Sequence, residues 1–207
     1  MLPGRFSELK KRRASFGQLE PRQSNNVIPR QSFLIVCEGA ATEPEYFQGF
    51  GIRSVLVRGL GSNTDSLVEE ANRLKTEKYP DRDQYWCVFD RDSFPAARFN
   101  NAISKAEEYG FRVAYSNESF ELWFLLHFAY LTSGLARRLY AEKLEKYLGH
   151  RYQKNSESMY AELLDKQEAA IRNASRLLES YGNDHNPEQD NPCTTVHLLV
   201  QELRNQL

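Results

Sequence analysis

Residues 32–50 read SFLIVCEGAATEPEYFQGF, and the fold class is set here. Phe33-Leu34-Ile35-Val36-Cys37 is an unbroken apolar run. A strand wetted on one side would alternate polar and apolar residues. One that is apolar throughout is covered on both faces, as in a parallel sheet between helical layers. Glu38-Gly39 ends the run with a turn signal. Thr42 then suits the N-cap of a short helix over 43–50, with Pro44 at a tolerated early position.

The same alternation continues down the chain. Strand patterns fall at 52–57, 85–89 and 111–115. A helix capped by Thr64 or Asp65 extends to about Tyr79, with Leu67, Ala71 and Leu74 on one face. Helices are also expected over 95–108, ended by Gly110, and over the apolar segment 118–128. Strands alternating with helices predict an α/β fold: a mainly parallel, Rossmann-like sheet with right-handed crossovers, flanked by helices. After Leu131 the strand signals stop. Residues 157–181 carry Tyr160, Leu163, Leu164, Ile171, Ala174, Leu177, Leu178 and Tyr181 at helical spacing. A last helix, begun by Pro192 and Thr194, carries Val196, Leu199, Val200, Leu203 and Leu207, after the polar loop YGNDHNPEQDNP. The expected division is an N-terminal arm (1–31), an α/β domain (32–130) and a helical C-terminal region (131–207) packed on it.

Composition narrows the function classes. The chain has 207 residues, and its 41% of hydrophobic residues is enough to build a core. No apolar run approaches the roughly 18 residues of a membrane span, and MLPGRFSELKKRR lacks the apolar stretch of a signal peptide, so a cytoplasmic protein with no membrane partner is expected. Cys37, Cys87 and Cys193 are odd in number and widely spaced, which argues against a disulfide framework or a cysteine zinc site. The net charge of -1 hides an asymmetry: residues 1–30 hold seven basic and two acidic side chains, and the remainder holds 20 basic and 26 acidic ones. A basic, partly ordered arm on an acidic body suits phosphate binding, and it also suits a solvated leader.

In an open parallel sheet, ligands bind beyond the carboxyl ends of the strands. The acids gather there. Glu38 and Glu43 follow the first strand, Asp90 and Asp92 the third, and Glu118 and Glu121 the fourth. Clustered carboxylates raise one another's pKa unless a cation sits among them. Mg²⁺ and Mn²⁺ take hard oxygen ligands and keep several waters, leaving room for phosphate. Gly39 permits close approach by a phosphate or a neighbouring loop. These parts suit metal-assisted phosphodiester chemistry.

Other residues are weaker candidates. Arg91 should point away from the two aspartates, toward the surface. His127, in an apolar helix, reads as a core histidine, and His197 as a partly exposed one. Within HRYQKN, Lys154 is placed either to offset charge on a scissile phosphate or to lie in a solvated basic loop with His150, Arg151 and Tyr152.

Four segments, CEGAATEPEYFQGF, WCVFDRDSF, YSNESFELWFLLHF and NPCTTVHLLVQEL, occur in the order seen in the RloB family, which this chain resembles over roughly residues 32–207. That family is similar to the Toprim fold of topoisomerases, bacterial primases and OLD-type nucleases. The resemblance implies a Toprim-like sheet in which Glu38 is a general acid or base or a metal ligand, and Asp90 and Asp92 hold Mg²⁺. Glu43, in the GxxTE form of the first motif, is implied as a second ligand or as a holder of the loop. Glu121 matches by position only, as a further ligand or as a structural residue of a helix packed by Phe120, Trp123 and Phe124. The resemblance also implies a place in restriction-linked phage defence, including abortive infection, beside an AAA or ABC-like ATPase. No tyrosine is recognisable as a topoisomerase nucleophile, and no primase zinc or helicase module is present. Two readings follow: a Mg²⁺- or Mn²⁺-dependent nuclease acting on DNA or RNA, with Glu38, Asp90, Asp92 and Lys154 as catalytic groups, or a non-catalytic interaction subunit of an ATPase-linked complex. Oligomeric state stays open.

Overall fold

Four parallel strands, β1 (Phe33–Cys37), β2 (Val55–Gly59), β3 (Gln84–Asp90) and β4 (Arg112–Asn117), stand in the order β2-β1-β3-β4. A two-residue strand, β5 (Cys193–Thr194), closes the far edge antiparallel to β4. The structure is a computed structural model that describes residues 30–61, 64–91 and 96–207. The basic arm up to residue 29 and Asp92 lie outside the described residues.

Strand alternation sorts the side chains into two layers. Leu34 and Val36 of β1, with Cys87, Phe89 and Tyr115, face a layer made by α2 (Thr64–Glu77) and α3 (Ala96–Glu108). Phe33, Ile35 and Cys37, with Trp86, Val88 and Ala114, face the opposite and larger layer. That layer is built from α1 (Thr42–Gln48), α4 (Glu121–Leu126), α5 (Arg138–Leu148), α6 (Met159–Leu163), α7 (Gln167–Tyr181) and α8 (Val196–Arg204). The C-terminal helices therefore share one core with the sheet. None of the described helices is long and apolar enough to cross a membrane.

Several boundaries differ from the sequence reading, for local reasons. The second strand starts three residues later than expected, because Gly51 adopts φ +65° and the Val55 amide donates to the Ile52 carbonyl at 3.1 Å, making a turn of 52–54. Thr42 is the first residue of α1, not its cap, and its hydroxyl donates instead to Asn155 Oδ1 at 3.3 Å. The helix over 157–181 is broken by a 3-10 turn at Leu164–Lys166. Thr194 belongs to β5, and α8 begins at Val196. His197 is buried among the apolar residues of α8, not partly exposed. Arg91 is half-buried, since strand alternation turns it toward the α2–α3 layer.

Two elements were not anticipated. Helix α5 buries only Tyr140 and Leu144, too sparse a stripe to show in the pattern. Strand β5 works largely through threonine hydroxyls: Thr194 Oγ1 donates to the Tyr115 carbonyl at 2.8 Å, and the Tyr115 amide donates to Thr195 Oγ1 at 2.9 Å. The polar loop before β5 is tied down as well. His185 Nε2 lies 2.6 Å from the Tyr115 hydroxyl, and its Nδ1 lies 2.5 Å from Asp190.

Candidate active site

From β1 the chain leaves toward β2 on one side, and from β3 it leaves toward β4 on the other. Such a reversal of strand order opens a crevice at the carboxyl ends, where α/β proteins place their ligands. Glu38 follows β1 and Asp90 ends β3, so both stand at this point. The Asp90 amide donates to Glu38 Oε2 at 3.2 Å. Asp90 is on the same side of its strand as Trp86 and Val88, and it faces the large helical layer.

That layer brings two more acids. Glu43 lies in the first turn of α1 and Glu121 begins α4, and both are buried. Their approach is fixed by aromatic packing one turn further along each helix. Tyr46 of α1 packs against Trp123 and Phe124 of α4, with ring centroids 6.4 and 5.5 Å apart, and against Phe120 and Tyr160. Each such buried ring contributes about 2–3 kcal/mol by area, and each pair roughly 0.5–1.5 kcal/mol more. The acids are thus held together by an apolar cluster that strongly favours folding.

Cations rim the cluster. Lys154 Nζ lies 3.3 Å from Glu121 Oε1, and Arg137 lies 4.0 Å from Asp90 Oδ2. Glu121 also accepts hydrogen bonds from the Tyr152 hydroxyl at 3.2 Å and from the Ser119 hydroxyl at 2.7 Å. A cavity of about 230 Å³ is lined by the 39–43 turn, Asp90, Phe120, Glu121, Arg137, Lys154 and Asn155.

Electrostatics follow from burial and crowding. The Asp90 carboxyl is pushed well above the ordinary range, first by burial and then by Glu43 and Glu121, while the Phe120 amide lowers it and Glu38 raises it. Burial likewise raises Glu43, and Glu121 adds to the effect. The Glu43 backbone amide, Lys154 and Arg137 pull the other way without cancelling it. Among the described residues, the cavity gathers three carboxyls, Glu43, Asp90 and Glu121, beside two cations, Arg137 and Lys154.

Gly39 has a specific task. A Cβ there would stand 1.9 Å from Glu43 Oε2, so the Glu43 carboxylate lies directly over the glycine. Gly59 faces rigid backbone instead, with a Cβ meeting the Gly39 and Ala40 carbonyls at 2.6 and 2.8 Å. Gly39→Ala is expected to hold stability within about 0.5 kcal/mol, because only a side-chain end, the Glu43 carboxylate, must move. Gly59→Ala is expected to cost about 1–3 kcal/mol in urea unfolding, because the loop itself must shift.

The structure brings together Glu38, Glu43, Asp90, Glu121 and Lys154 from the sequence reading. Arg137, Ser119 and the contact made by Tyr152 were not foreseen. Arg137 follows a stretch with no periodic pattern, so nothing local marked it. His127 is a core histidine whose Nδ1 lies 2.9 Å from the Trp123 carbonyl. Among the described residues, no three His, Cys, Asp or Glu side chains already form a cage that could hold a metal ion.

The profile of a family described as RloB-like protein matches residues 33–203. The chain belongs to the RloB-like protein family. No curated protein and no solved structure matched it. The span matched in this RloB-like protein runs from the first residue of β1 into α8. It includes every carboxylate of the site, the Arg137 and Lys154 rim, and the helices that share the core. The basic arm falls outside it.

Proposed function

We propose that this RloB-like protein is a divalent-metal-dependent nuclease, hydrolysing phosphodiester bonds in prokaryotic phage defence. One observation carries the reading: the carboxyl of Asp90, at the sheet's switch point, is buried beside Glu43 and Glu121, and burial first, then those two acids, raise it. A structural acid would be expected to have a full complement of partners; an excess of negative charge in a crevice is what a cation site has before the cation arrives.

The donor set fits Mg²⁺ or Mn²⁺. Every group is a hard oxygen, and Mg²⁺ is commonly held by only one or two carboxylates with waters completing its shell, so a closed protein cage is not required. Asp90 and Glu43 would hold the ion, with Asp92 two residues further along the chain. Bound there, it would polarise the scissile phosphate and lower the pKa of a coordinated water. Glu38, tied to the Asp90 amide, serves as the acid or base of the reaction. Glu121 anchors Lys154, whose ammonium offsets charge developing on the phosphate.

A second reading has its own support. Arg137 and Lys154 already pair with Asp90 and Glu121, so the site is partly neutralised without metal, as a regulatory subunit of an ATPase-linked complex would allow. The experiment that separates the two is cleavage of supercoiled, linear and single-stranded DNA and of total tRNA with Mg²⁺ or Mn²⁺, beside EDTA and Asp90→Asn controls. Metal-dependent cleavage missing from the variant supports the nuclease. No cleavage of any substrate, alone or with an ATPase partner, supports the regulatory subunit.

A further inference from the structure

Beside the acidic cavity lies a second one of about 380 Å³, lined by Glu121, Arg137, Arg138, Tyr140, Ala141 and Lys154. The two cavities share Glu121, Arg137 and Lys154, so they form one continuous groove. Their charges differ in sign. The first presents Glu43, Asp90 and Glu121 to two cations, whereas the second presents a single carboxylate to three. A divalent ion in the first would leave the whole groove positive.

The wall of the second cavity is built for an anion. Arg137, Arg138, Tyr140 and Ala141 are the N-cap and first turn of α5, an eleven-residue helix whose N-terminal amides carry partial positive charge. Arg138 is exposed and has no ion pair among the described residues. Tyr140 is independent evidence. Its side chain is 1% exposed, and its hydroxyl proton has no acceptor, although the Glu118 and Leu135 backbone amides stand close enough to stabilise its oxygen. Burial pushes that hydroxyl up to about 12, with Glu118 and Asp90 adding to the shift and the Glu118 and Leu135 backbone opposing it, so it is a protonated donor near the carboxylates. A buried donor without an acceptor is costly, and an incoming oxygen anion relieves the cost.

We propose that this second cavity binds the phosphate next to the scissile one, so that a nucleic-acid strand runs from the carboxylates over the first turn of α5. Arg138 and Arg137 grip its oxygens, and Tyr140 donates to one of them. The inference rests on the nuclease reading and answers its main difficulty, an acidic body that would repel a polyanion. The ligand chemistry is a phosphodiester backbone, which RNA and DNA share.

The test is fluorescence anisotropy with labelled single strands of about 20 nucleotides, one RNA and one DNA, longer than a site of ~4–16 nucleotides. Ca²⁺ replaces the reactive metal, so that binding is read without cleavage. Arg138→Glu is expected to weaken binding of the preferred strand by about tenfold, and Arg138→Ala to reduce the slope of log affinity against log salt by about 0.7, one phosphate contact. Tyr140→Phe should weaken binding about fivefold with the salt slope unchanged, because it removes a neutral donor. Mn²⁺ affinity should not fall in any of the three variants relative to the wild type. Unchanged strand affinity in both Arg138 variants would overturn the inference, as would failure of the wild type to bind either strand. Binding that depends on Arg138, in a protein that cleaves nothing, would leave this subsite standing and count against the nuclease reading alone.

Discussion

Asp90→Asn should be inactive and more stable than the wild type. The two effects have one cause. Asp90 is buried among carboxylates that push its pKa up, and such a group opposes folding at neutral pH, because the folded state resists the charge that the unfolded state carries freely. The sign follows: a raised folded value means that this contribution grows more unfavourable as pH rises from the ordinary carboxylate range to the folded value, and is relieved as pH falls. Asparagine keeps the shape and an acceptor for the Phe120 amide while removing the charge. The expected gain in metal-free buffer is about 1 kcal/mol or more, roughly 2–4 °C in Tm for a chain of this size. Cleavage, if Asp90 holds the metal, should fall on the order of 10³-fold or more. Addition of Mn²⁺ should raise the wild-type Tm, by the usual linkage of binding to folding, and leave the variant unmoved. A variant that is less stable than the wild type without metal would contradict the electrostatic account.

Acid should unfold the protein through two histidines remote from the site. His127 and His197 are buried, and burial depresses both to about 4, from an ordinary value near 6.5. For His127, Lys166 adds to the depression, while the Trp123 and Phe124 backbone and Asp165 oppose it. For His197, a backbone contact at Thr194 opposes it. Below about pH 6.5 the unfolded chain takes up protons that the folded chain refuses until about pH 4, so stability is lost across that window as pH falls. Each histidine accounts for on the order of 2–3 kcal/mol of loss by its lower end, a large share of a total of about 5–15 kcal/mol. Asp90 and Glu43, being raised, act in the opposite direction in part of the same range. His127→Leu and His197→Leu separate these contributions. Urea midpoints followed from about pH 7.5 to 4.5 should fall less steeply in each variant than in the wild type. Parallel curves would show that neither histidine is held neutral.

The fold was legible where burial leaves a one-dimensional trace. The apolar runs of β1 and β3 can only be strands covered on both faces, and the acids that end them fall at the switch point by topology alone. Glu43 and Glu121 were legible for the same reason, as first-turn residues of the helices that return over the sheet. What completes the site was not. Lys154 was marked as a candidate, but Arg137 and the contact made by Tyr152 were not: they reach the site from loops on either side of α5 by tertiary packing, which leaves no periodic mark. Strand β5 escaped notice because two residues carry no alternation and threonine hydroxyls do much of its bonding. Gly39 was read as a doorway for a phosphate or a loop, and the space above it is filled by the Glu43 carboxylate of the same motif.

Calorimetric titration of Mn²⁺ into the metal-free protein, at about pH 7.5 in two buffers of different ionisation enthalpy, addresses the cation site itself. Carboxyls raised by their neighbours must give up protons as the metal enters. The expected result is saturable binding with an apparent enthalpy that changes between buffers, reporting proton release, and no binding by folded Asp90→Asn. Absence of binding in the wild type, or equal binding in wild type and variant, would contradict the assignment of this carboxylate cluster as the metal site.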